Sequence, residues 1–494
     1  MNLISKLLER PAEFRIGAGW KSGEHSRIGE TQSMTTSTSV FRGRAIVLAL
    51  AGFLACGALP ARSESFSFTS IGDLPGGSTF SRALAVSGNG QVVGGVSKST
   101  VGVQAEATSW TKANGLVPLG DLAGGTFESY SYAVSNDGSV IVGIGSAADN
   151  YQAFRVNNGV MTAIPYAGTD YYSEARGVSA NGNVIVGLGS SDDAVSAWRW
   201  TQATGTVSLG FVPGDSTSSA YAISADGSTI VGFSGTDYNQ AMRYTSGGGM
   251  VSLGHLPGGT DSAAFGVSRD GSVVVGYSNT SATDYVAFRW DAATNQMVSL
   301  GDFAGGFVNS QANGVSGNGK IVVGYGMSDA GFDAFRWDPA NGLQSLKGIL
   351  NRVGLGPELN NWILVEAKGI SDDGRSIVGY GFDPNGNTTG WIARNNLLAD
   401  VNVDWKVDIA DLVQVANLWL STNPEGDANG DGIVNIQDIT AIAEHWLEGA
   451  GGGGGGGSLN VTAVPEPSTL SLAAIASLAG AFAYRRRRSA AHNQ

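Results

Sequence analysis

The apolar positions of residues 64–398 fall in short runs that recur at a nearly constant spacing. Each repeat has four runs, which end in Leu-Gly, in Val-Ser or Ile-Ser, in a sequence such as Ile-Val-Val-Gly, and in one such as Ala-Phe-Arg-Trp. A short apolar run bounded by turn residues is typical of a buried β-strand. The pattern therefore predicts four strands in every repeat.

A glycine in the turn after the second run marks each repeat. These glycines are Gly90, Gly138, Gly182, Gly227, Gly271, Gly319 and Gly374. The Asn-Gly and Asp-Gly pairs at these turns supply the positive φ angles of a tight hairpin. Four strands in about 45 residues are typical of a propeller blade. We therefore predict an all-β fold, a seven-bladed β-propeller with four short strands per blade.

The order of the runs also bears on how the ring closes. The first repeat begins with the Leu-Gly run and the last ends with the Ala-Phe type of run. If the blade boundary lies elsewhere in the repeat, one sheet combines strands from both chain ends and leaves no exposed strand edge. An open β-solenoid is the alternative fold; such repeats are usually shorter and need capping units.

Two copies of the repeat carry a family resemblance. LGHLPGGTDSAAFGVSRDGSVVVGYSNTSATDYVAFRW (253–290) and LGDFAGGFVNSQANGVSGNGKIVVGYGMSDAGFDAFRW (300–337) align almost without gaps. Their LGxLPGG, VSxDGxxVVG and AFRW segments resemble the HAF family of extracellular repeats, over about residues 66–394. The resemblance implies a secreted repeat protein and no particular ligand.

Two groups of side chains in the repeats are candidates for ligand chemistry, and we assign no catalytic residue. Tyrosines concentrated in the second and third repeats are suited to stacking on a sugar or anchoring a partner, with blade packing as the alternative: Tyr130, Tyr132, Tyr151, Tyr166, Tyr171 and Tyr172. Loop aspartates are candidates for the paired carboxylates of a glycoside hydrolase, with turn formation as the alternative: Asp73, Asp121, Asp215, Asp261 and Asp302.

The segment DANGDGIVNIQD (427–438) has the spacing of an EF-hand-like calcium loop, and DVNVDWKVDIAD (400–411) repeats it 27 residues upstream. Oxygen-bearing side chains stand at loop positions 1, 3, 5, 9 and 12, as a hard cation such as Ca²⁺ requires. The predicted ligands are Asp400, Asn402, Asp404, Asp408 and Asp411 in the first loop, and Asp427, Asn429, Asp431, the Ile433 carbonyl, Asn435 and Asp438 in the second.

Helical patterns follow both loops, and residues 399–448 together resemble a type I dockerin. The resemblance implies a small α-helical calcium-binding domain with two Ca²⁺ ions, which docks on a cohesin-like or other surface protein. Trp405 stands at position 6 of the first loop, where a left-handed backbone costs a non-glycine residue about 1–2 kcal/mol. We therefore expect the first calcium site to be the weaker one.

Both ends of the chain carry targeting signals. Arg42 and Arg44, an apolar run (45–59) and Ala61-Arg62-Ser63 predict a signal peptide at 34–63, so residues 1–33 are expected to be an extension that is not native. A Gly-rich linker (449–464) leads to residues 465–488, which resemble a PEP-CTERM sorting signal processed by an exosortase. Its residues are Pro465, Glu466, Pro467, an apolar stretch at 470–484, and Arg485, Arg486, Arg487 and Arg488. A plain transmembrane helix as a membrane anchor is the alternative.

The net charge of the chain bears on which class of partner it can bind. A net charge of -13 and a pI of 4.8 disfavour a nucleic-acid partner, because phosphate binding needs clustered cations. We predict an exported cell-surface or extracellular binding or scaffold protein, with a possible glycan at the propeller rim. The alternatives are a carbohydrate-active enzyme or accessory module of a polysaccharide-degrading assembly, and an adhesion protein whose propeller acts as a spacer.

Overall fold

The computed structural model describes residues 65–449, apart from residues 101–104, 149, 193, 282–283 and 447. The predicted N-terminal extension, the signal peptide, the Gly-rich linker after Gly449 and the sorting signal lie outside the described residues. Within the described part, no helix combines the length and the apolar character needed to span a membrane. Most of this part is β-structure, with 28 strands and three short α-helices.

Four strands form in every repeat, as the apolar runs predict. The innermost strands are β2 (Gly76–Val86), β6 (Gly124–Val134), β10 (Tyr172–Val178), β14 (Thr217–Ile223), β18 (Ser262–Val267), β22 (Gly305–Val315) and β26 (Ile363–Ile370). The second strands are β3 (Val93–Ser99), β7 (Val140–Ala147), β11 (Val184–Ser190), β15 (Thr229–Gly235), β19 (Val273–Asn279), β23 (Val322–Ser328) and β27 (Ser376–Phe382).

The third and outer strands complete the sheets. The third strands are β4 (Ala105–Thr111), β8 (Tyr151–Asn157), β12 (Val195–Thr201), β16 (Asn239–Thr245), β20 (Tyr285–Asp291), β24 (Gly331–Asp338) and β28 (Thr388–Asn395). The outer strands are β5 (Gly115–Gly120), β9 (Val160–Ala163), β13 (Gly205–Gly210), β17 (Gly249–Gly254), β21 (Gln296–Gly301), β25 (Gly342–Ser345) and β1 (Phe66–Ser70).

The number of separate sheets differs from the predicted seven. The propeller has five separate four-stranded blades, while β18 to β25 form one eight-stranded sheet that contains two repeats. A single parallel pair, Tyr285 with Asn309, joins β20 to β22 and merges these two repeats. The all-β propeller is confirmed, and the prediction of seven separate blades is wrong because neighbouring repeats share this one bridge.

Strands from both ends of the described chain share one sheet. The order in this sheet is β1, β28, β27 and β26, and β1 pairs antiparallel with β28 from Phe66–Asn395 to Ser70–Trp391. The N-terminal Leu-Gly strand therefore supplies the outer strand of the last sheet. This arrangement covers the edge of β28, which would otherwise offer unpaired backbone groups.

A serine at the inner strand of most repeats ties each sheet to the one before it. Ser218 Oγ accepts a hydrogen bond from Ala197 N–H at 2.9 Å and donates one to Gly210 C=O at 2.7 Å. The same Ala–Ser contact recurs between other neighbouring repeats. Glycines keep the strands close: a Cβ at Gly232 would lie 1.9 Å from Ser219 C=O. Small residues are therefore required at such positions, because the backbones of neighbouring strands leave no room for a side chain.

Large apolar side chains fill the space between the sheets. In the third strands, the residue after the alanine or glycine is almost always large and fully buried: Phe154, Trp198, Met242, Phe288, Phe335 and Trp391. Before β26, helix α1 (Leu346–Leu350) and a π-helical turn (Asn351–Leu355) add further apolar residues to the last sheet. Each sheet thus packs on the next through one apolar layer.

The C-terminal module (residues 397–449) contains helices α2 (Ile409–Asn417) and α3 (Ile436–Glu444) and a 3-10 turn (Pro424–Gly426). Both helices begin with a reciprocal capping box, Asp408 with Asp411 and Asn435 with Asp438. Such a cap satisfies N–H groups that a helix N-terminus leaves unpaired. The two helices enclose a small core of their own that includes Leu412, Val415 and Ile442.

Candidate functional site

The innermost strand of every repeat carries a β-bulge at the same place. The bulge lies, for example, between Ala220 and Ala222 of β14 and between Ala264 and Gly266 of β18. A bulge takes one residue out of the regular alternation and redirects its side chain. The bulged residues are Leu84, Tyr132, Arg176, Tyr221, Phe265, Asn313 and Lys368.

These bulged side chains surround a cavity on the axis of the propeller. Together with Gln311 they line a volume of about 220 Å³. Because each of the seven innermost strands contributes a lining residue, the cavity lies at the centre of the ring. We call it the central cavity.

One side of the central cavity is aromatic. The guanidinium of Arg176 lies 4.0 Å from the centre of the Tyr132 ring and 5.7 Å from that of Tyr221. The rings of Tyr221 and Phe265 are 5.0 Å apart. Arg176 also forms an ion pair with Glu174. The cation–π contacts and this ion pair hold Arg176 in one place on the wall.

The opposite side presents amides and charged groups. Gln311 Nε2 donates to Asn313 Oδ1 at 2.8 Å, and Asn313 Nδ2 donates to Glu366 Oε1 at 2.9 Å. Glu366 also contacts Lys368 Nζ at 3.1 Å and accepts a 2.6 Å hydrogen bond from the Tyr380 hydroxyl. Glu366 therefore organises this side of the cavity.

Charges around the central cavity are balanced. The cations of the inner strands are Arg82, Arg176 and Lys368, and the anions are Glu128, Glu174 and Glu366. Arg82 lies over the Tyr380 ring, 4.4 Å from its centre. Of the residues that line the cavity, Arg176 and Lys368 are charged, and each is paired with a glutamate of its own strand, so neither charge is left free to select an ionic ligand.

Four of the sequence-predicted tyrosines meet beside the cavity. Glu128 accepts hydrogen bonds from the Tyr130 hydroxyl at 2.7 Å and from Tyr151, and Glu174 accepts one from Tyr172. Tyr132 stacks on Tyr130 with ring centres 6.1 Å apart. Tyr171, in contrast, is about half exposed, and the Tyr166 hydroxyl donates to the Tyr151 carbonyl at 3.4 Å.

These contacts change the acidity of the phenols. Burial raises the pKa of Tyr132 to about 12, because the phenolate would lose its hydration. The hydrogen bond to Glu128, followed by burial, raises the pKa of Tyr151 to about 12. Both phenols therefore stay neutral, as hydrogen-bond donors, at physiological pH.

A ring of backbone hydrogen bonds lies at one end of the propeller axis, in the turns that follow the innermost strands. Each turn after an innermost strand donates an N–H to a carbonyl of the next turn, with N···O distances of 2.9 to 3.1 Å: Asn89 to Asn136, Asn136 to Ala180, Ala180 to Ala225, Ala225 to Arg269, Arg269 to Gly317, Gly317 to Asp372, and Asp372 to Gly88. Arg269 spans this end, with Nη1 3.2 Å from Asn136 Oδ1 and in an ion pair with Asp372. The turn end is therefore constricted.

The two predicted calcium loops have matching backbone geometry. At position 1, Asp400 accepts from Asp404 N–H at 3.0 Å and from Trp405 N–H at 2.7 Å. Asp427 does the same with Asp431 at 3.0 Å and Gly432 at 2.8 Å. Positions 4 and 6 have positive φ in both loops, at Val403 (56°), Trp405 (70°), Gly430 (78°) and Gly432 (86°).

Position 12 also matches. Asp411 accepts from Asn402 N–H at 3.2 Å and Asp408 N–H at 2.8 Å, and Asp438 accepts from Asn429 and Asn435 in the same way. In each loop the carboxylates of positions 1 and 12 thus accept backbone N–H groups of residues between them. Among the described residues, no three His, Cys, Asp or Glu side chains meet as a metal-binding group.

Acidic side chains of the first loop are deeply buried. Burial, and next the carboxylates of Asp411 and Asp404, raise the pKa of Asp400 to about 7. Burial likewise raises the pKa of Asp411 to about 7. Two buried carboxylates in one loop repel each other, and a bound cation would relieve that repulsion. The residues of this loop whose side-chain oxygens could hold a cation are Asp400, Asn402, Asp404, Asp408 and Asp411.

The first loop is built into the propeller. Trp405 is fully buried among residues of the last sheet, Arg336 donates to the Val403 carbonyl, and Asn395 Nδ2 donates to Asp400 Oδ2 at 2.6 Å. The second loop faces outward, and Ile433 is half exposed. Sequence reasoning foresaw the pair of loops but treated the module as a separate domain.

The aspartates proposed as paired catalytic carboxylates shape loops instead. Asp121 accepts from the N–H groups of Leu122, Glu128 and Ser146, and Asp302 accepts from those of Phe303 and Asn309. Asp261 accepts from Asn239 N–H, and Asp215 from the Gln240 side chain. None of the five candidates, Asp73 included, is among the residues that line the described cavity.

One family model matches the chain. The PEP-CTERM protein-sorting motif covers residues 463–488, which contain all the predicted sorting residues outside the described structure. The predicted sorting signal is thereby confirmed. The motif marks an exported protein with a cell-surface location that is processed by an exosortase.

Comparison with curated proteins finds no sequence match. Among solved structures, TolB from Acinetobacter baumannii matches at 14% identity and a TM-score of 0.37, over 48% of this chain and 58% of that chain. An oligogalacturonate lyase from Vibrio parahaemolyticus matches at 12% identity and a TM-score of 0.43, over 67% of this chain and 97% of that chain. An oligogalacturonate lyase in complex with manganese matches at 13% identity and a TM-score of 0.41, over 63% and 88%. The chain thus spans little more than half the length of TolB, and these similarities assign no ligand or activity to it.

Proposed function

We propose that this exported protein is a cell-surface binding scaffold, in which the propeller carries the binding site and the C-terminal module is a calcium-dependent, dockerin-like docking unit. The observation that carries the proposal is the matching geometry of two oxygen-rich loops, one built into the propeller and one facing outward. A module fixed at one side and open at the other is suited to joining the propeller to a partner.

Calcium would bind both loops through oxygen atoms. The side chains at positions 1, 3, 5, 9 and 12 and the carbonyl at position 7, Lys406 or Ile433, supply the number and kind of donors that Ca²⁺ prefers. When bound, the ion cross-links the loop to the first turn of the helix that follows, because position 12 lies in that turn. The loops and helices α2 and α3 would then form one rigid unit.

The outward side of the module is apolar. Ile409 and Val413 lie one turn apart on α2, Ile433 is in the second loop, and Ile436 begins α3; each is about half exposed, between 47% and 53%. Exposed apolar groups around a structured loop are typical of a protein-binding surface. The proposed partner is a cohesin-like or other surface protein.

Calorimetry on residues 64–464, the chain between the predicted signal peptide and the sorting signal, tests the calcium part. We expect two equivalents of Ca²⁺, with loss of one in Asp404→Ala and of the other in Asp431→Ala; the remaining site in Asp431→Ala is the weaker one. Asp226→Ala, which alters a turn in the propeller, is the matched control. Absence of calcium binding contradicts the proposal.

Docking is tested by titrating a recombinant type I cohesin, with calcium and with EDTA. We expect binding in calcium only, weakened at least tenfold by Ile409→Asp or Ile436→Asp, and unchanged by Asp226→Ala. If the cohesin does not bind in the presence of calcium, the cohesin-like partner is contradicted. Whether calcium binds is then decided by the calorimetry alone.

A carbohydrate-active enzyme or accessory module is the second candidate, because Glu128, Glu174 and Glu366 stand on three of the innermost strands, β6, β10 and β26, whose bulged residues line the central cavity. Each of these carboxylates already accepts a tyrosine hydroxyl, and Glu174 and Glu366 are also paired with cations. Such fully engaged carboxylates are better suited to binding than to proton transfer. Polysaccharide hydrolysis that Glu366→Gln or Glu174→Gln abolishes would establish the enzyme instead.

A further inference from the structure

The bulged residues break the symmetry of the repeats. The bulged position is preceded by alanine or serine and followed by alanine or glycine in every repeat, as in Ala-Tyr221-Ala and Ala-Phe265-Gly. The bulged residue itself changes from repeat to repeat, through leucine, tyrosine, arginine, phenylalanine, asparagine and lysine. The bulge as a backbone feature is compatible with all of these residues, so the varied set produces an asymmetric wall. An asymmetric wall matches a ligand with different faces.

We infer that the central cavity is a carbohydrate-binding site that takes one neutral sugar unit, such as the end of a glycan chain. The inference deepens the proposed binding role of the propeller and does not depend on the calcium module. Three observations support the inference. They are the division of the cavity wall into two chemical sides, the pairing of both wall cations with glutamates, and the small size of the cavity with one constricted end.

The two sides of the wall correspond to the two kinds of surface on a sugar ring. Tyr221 and Phe265 offer ring surface to the apolar C–H face of a pyranose. Gln311, Asn313 and Lys368 on the other side offer donors and acceptors to its hydroxyl groups. The hydrogen bonds to Glu366 hold Asn313 and Lys368 in position before a ligand arrives, which lowers the entropic cost of binding.

The pairing of the two cations in the cavity wall disfavours an ionic ligand. Arg176 and Lys368 are each paired with a glutamate, so neither is free to neutralise a phosphate or carboxylate ligand. The faces of Tyr132 and Tyr221 nearest Arg176 are already occupied by its guanidinium, so they do not form an empty cage for an ammonium group. A neutral ligand with many hydroxyl groups fits this environment.

The size and the constricted end set the mode of entry. About 220 Å³ is below the roughly 300–1,000 Å³ of sites that enclose a drug-sized ligand, so the cavity suits a single small unit. Arg269, Asn136 and Asp372 obstruct the turn end. The sugar therefore enters from the opposite end, with the rest of a glycan outside.

The test uses residues 64–464, the chain between the predicted signal peptide and the sorting signal, with saturation-transfer NMR followed by calorimetry. The probes are the methyl glycosides of glucose, galactose, mannose and N-acetylglucosamine, cellotetraose, and trialanine blocked by N-acetyl and C-amide groups as an uncharged peptide. We expect at least one saccharide to bind, with affinity unchanged by EDTA. Binding of no saccharide, or of trialanine alone, overturns the inference.

Variants locate the site. Gln311→Leu keeps the side-chain volume and removes the hydrogen bonds, and Phe265→Leu removes the ring; each should weaken saccharide binding at least tenfold. Phe307→Leu is the control, because Phe307 is 85% exposed and does not line the cavity. Binding as in the wild type in both cavity variants overturns the inference. If Phe265→Leu lowers the melting temperature, Gln311→Leu decides alone.

The outcomes separate this inference from the docking proposal. Loss of saccharide binding with calcium binding and docking intact removes only the sugar site. Saccharide binding in a chain that does not bind calcium removes only the docking unit.

Discussion

Trp405, at position 6 of the first loop, stacks on Phe66 of β1, with ring centres 5.6 Å apart and ring planes at 16°. Phe66 begins the strand that completes the last sheet, and Trp405 has no exposed surface. The positive φ of Trp405 is therefore maintained by packing that a glycine could not provide. The first loop and the closure of the propeller form one packing unit.

Replacing Trp405 should destabilise the propeller and not only the C-terminal module. We expect Trp405→Ala to lower the free energy of unfolding by about 3–5 kcal/mol, the usual cost of removing a buried tryptophan. Urea unfolding followed by circular dichroism of the β-sheet signal measures this. Tyr238→Ala, at a tyrosine that is 68% exposed, is the control. An unchanged β-sheet transition in Trp405→Ala would show that the two parts are independent.

Calcium removal should act differently through the two loops. If the propeller and the C-terminal module were separate domains, EDTA would leave the melting temperature of the propeller unchanged. Because the first loop holds Trp405 against β1, we expect EDTA and Asp404→Ala to lower the melting temperature of the propeller. Asp431→Ala should leave it nearly unchanged, because the second loop faces outward. Scanning calorimetry with and without calcium measures both, and equal shifts for the two variants would contradict the coupling.

The serine bridges between sheets should be costly to remove. Ser218→Ala leaves Ala197 N–H and Gly210 C=O without their partner. Burying an unsatisfied polar group costs about 1–3 kcal/mol, so we expect a loss of that size in the free energy of unfolding. Ser216→Ala is the matched control, since Ser216 is exposed. Equal urea midpoints for the two variants would contradict the structural role of the bridge.

The tyrosine cluster should make stability fall in alkali. The pKa of Tyr132 and that of Tyr151 are raised to about 12, above the value of about 10 in an unfolded chain. The native state then binds these protons more tightly, so the stabilisation is complete below pH about 10 and is lost as pH rises towards about 12. Urea midpoints across this range and the tyrosinate absorbance test it.

Tyr151→Phe should reduce this pH dependence, because the phenylalanine has no proton to lose. Tyr238→Phe, at an exposed position, is the control and should keep the dependence of the wild type. Titration of all tyrosines together near pH 10 would contradict the cluster.

Most of the propeller could be predicted from local patterns. The Asn-Gly and Asp-Gly turns and the alternation of four apolar runs specify strands and hairpins through interactions within about ten residues. The merging of two repeats into one eight-stranded sheet could not be predicted, because it depends on the distance between Tyr285 and Asn309 in different repeats. No local pattern encodes that distance.

The central cavity was less visible in the sequence. The concentration of tyrosines in two repeats marks Tyr130, Tyr132, Tyr151 and Tyr172 as candidates. No comparable pattern marks the other residues in or beside the cavity, which are Arg176, Phe265, Gln311, Asn313 and Glu366. The available signal was a varied residue between small ones in each repeat. Its meaning requires the bulge, since the bulge is what directs that residue to the axis of the ring.

The amino-acid sequence by itself determined the four-stranded repeats, the spacing of the two predicted calcium loops and the sorting signal, because each rests on residues close together in the chain. Only the tertiary structure decided that bulged residues from seven strands enclose one cavity. It also placed Trp405, which the sequence predicts as a strained residue in a metal loop, inside the propeller, where the packing against Phe66 compensates for its left-handed backbone. Both outcomes depend on contacts between residues far apart in the chain, which form only when the ring closes.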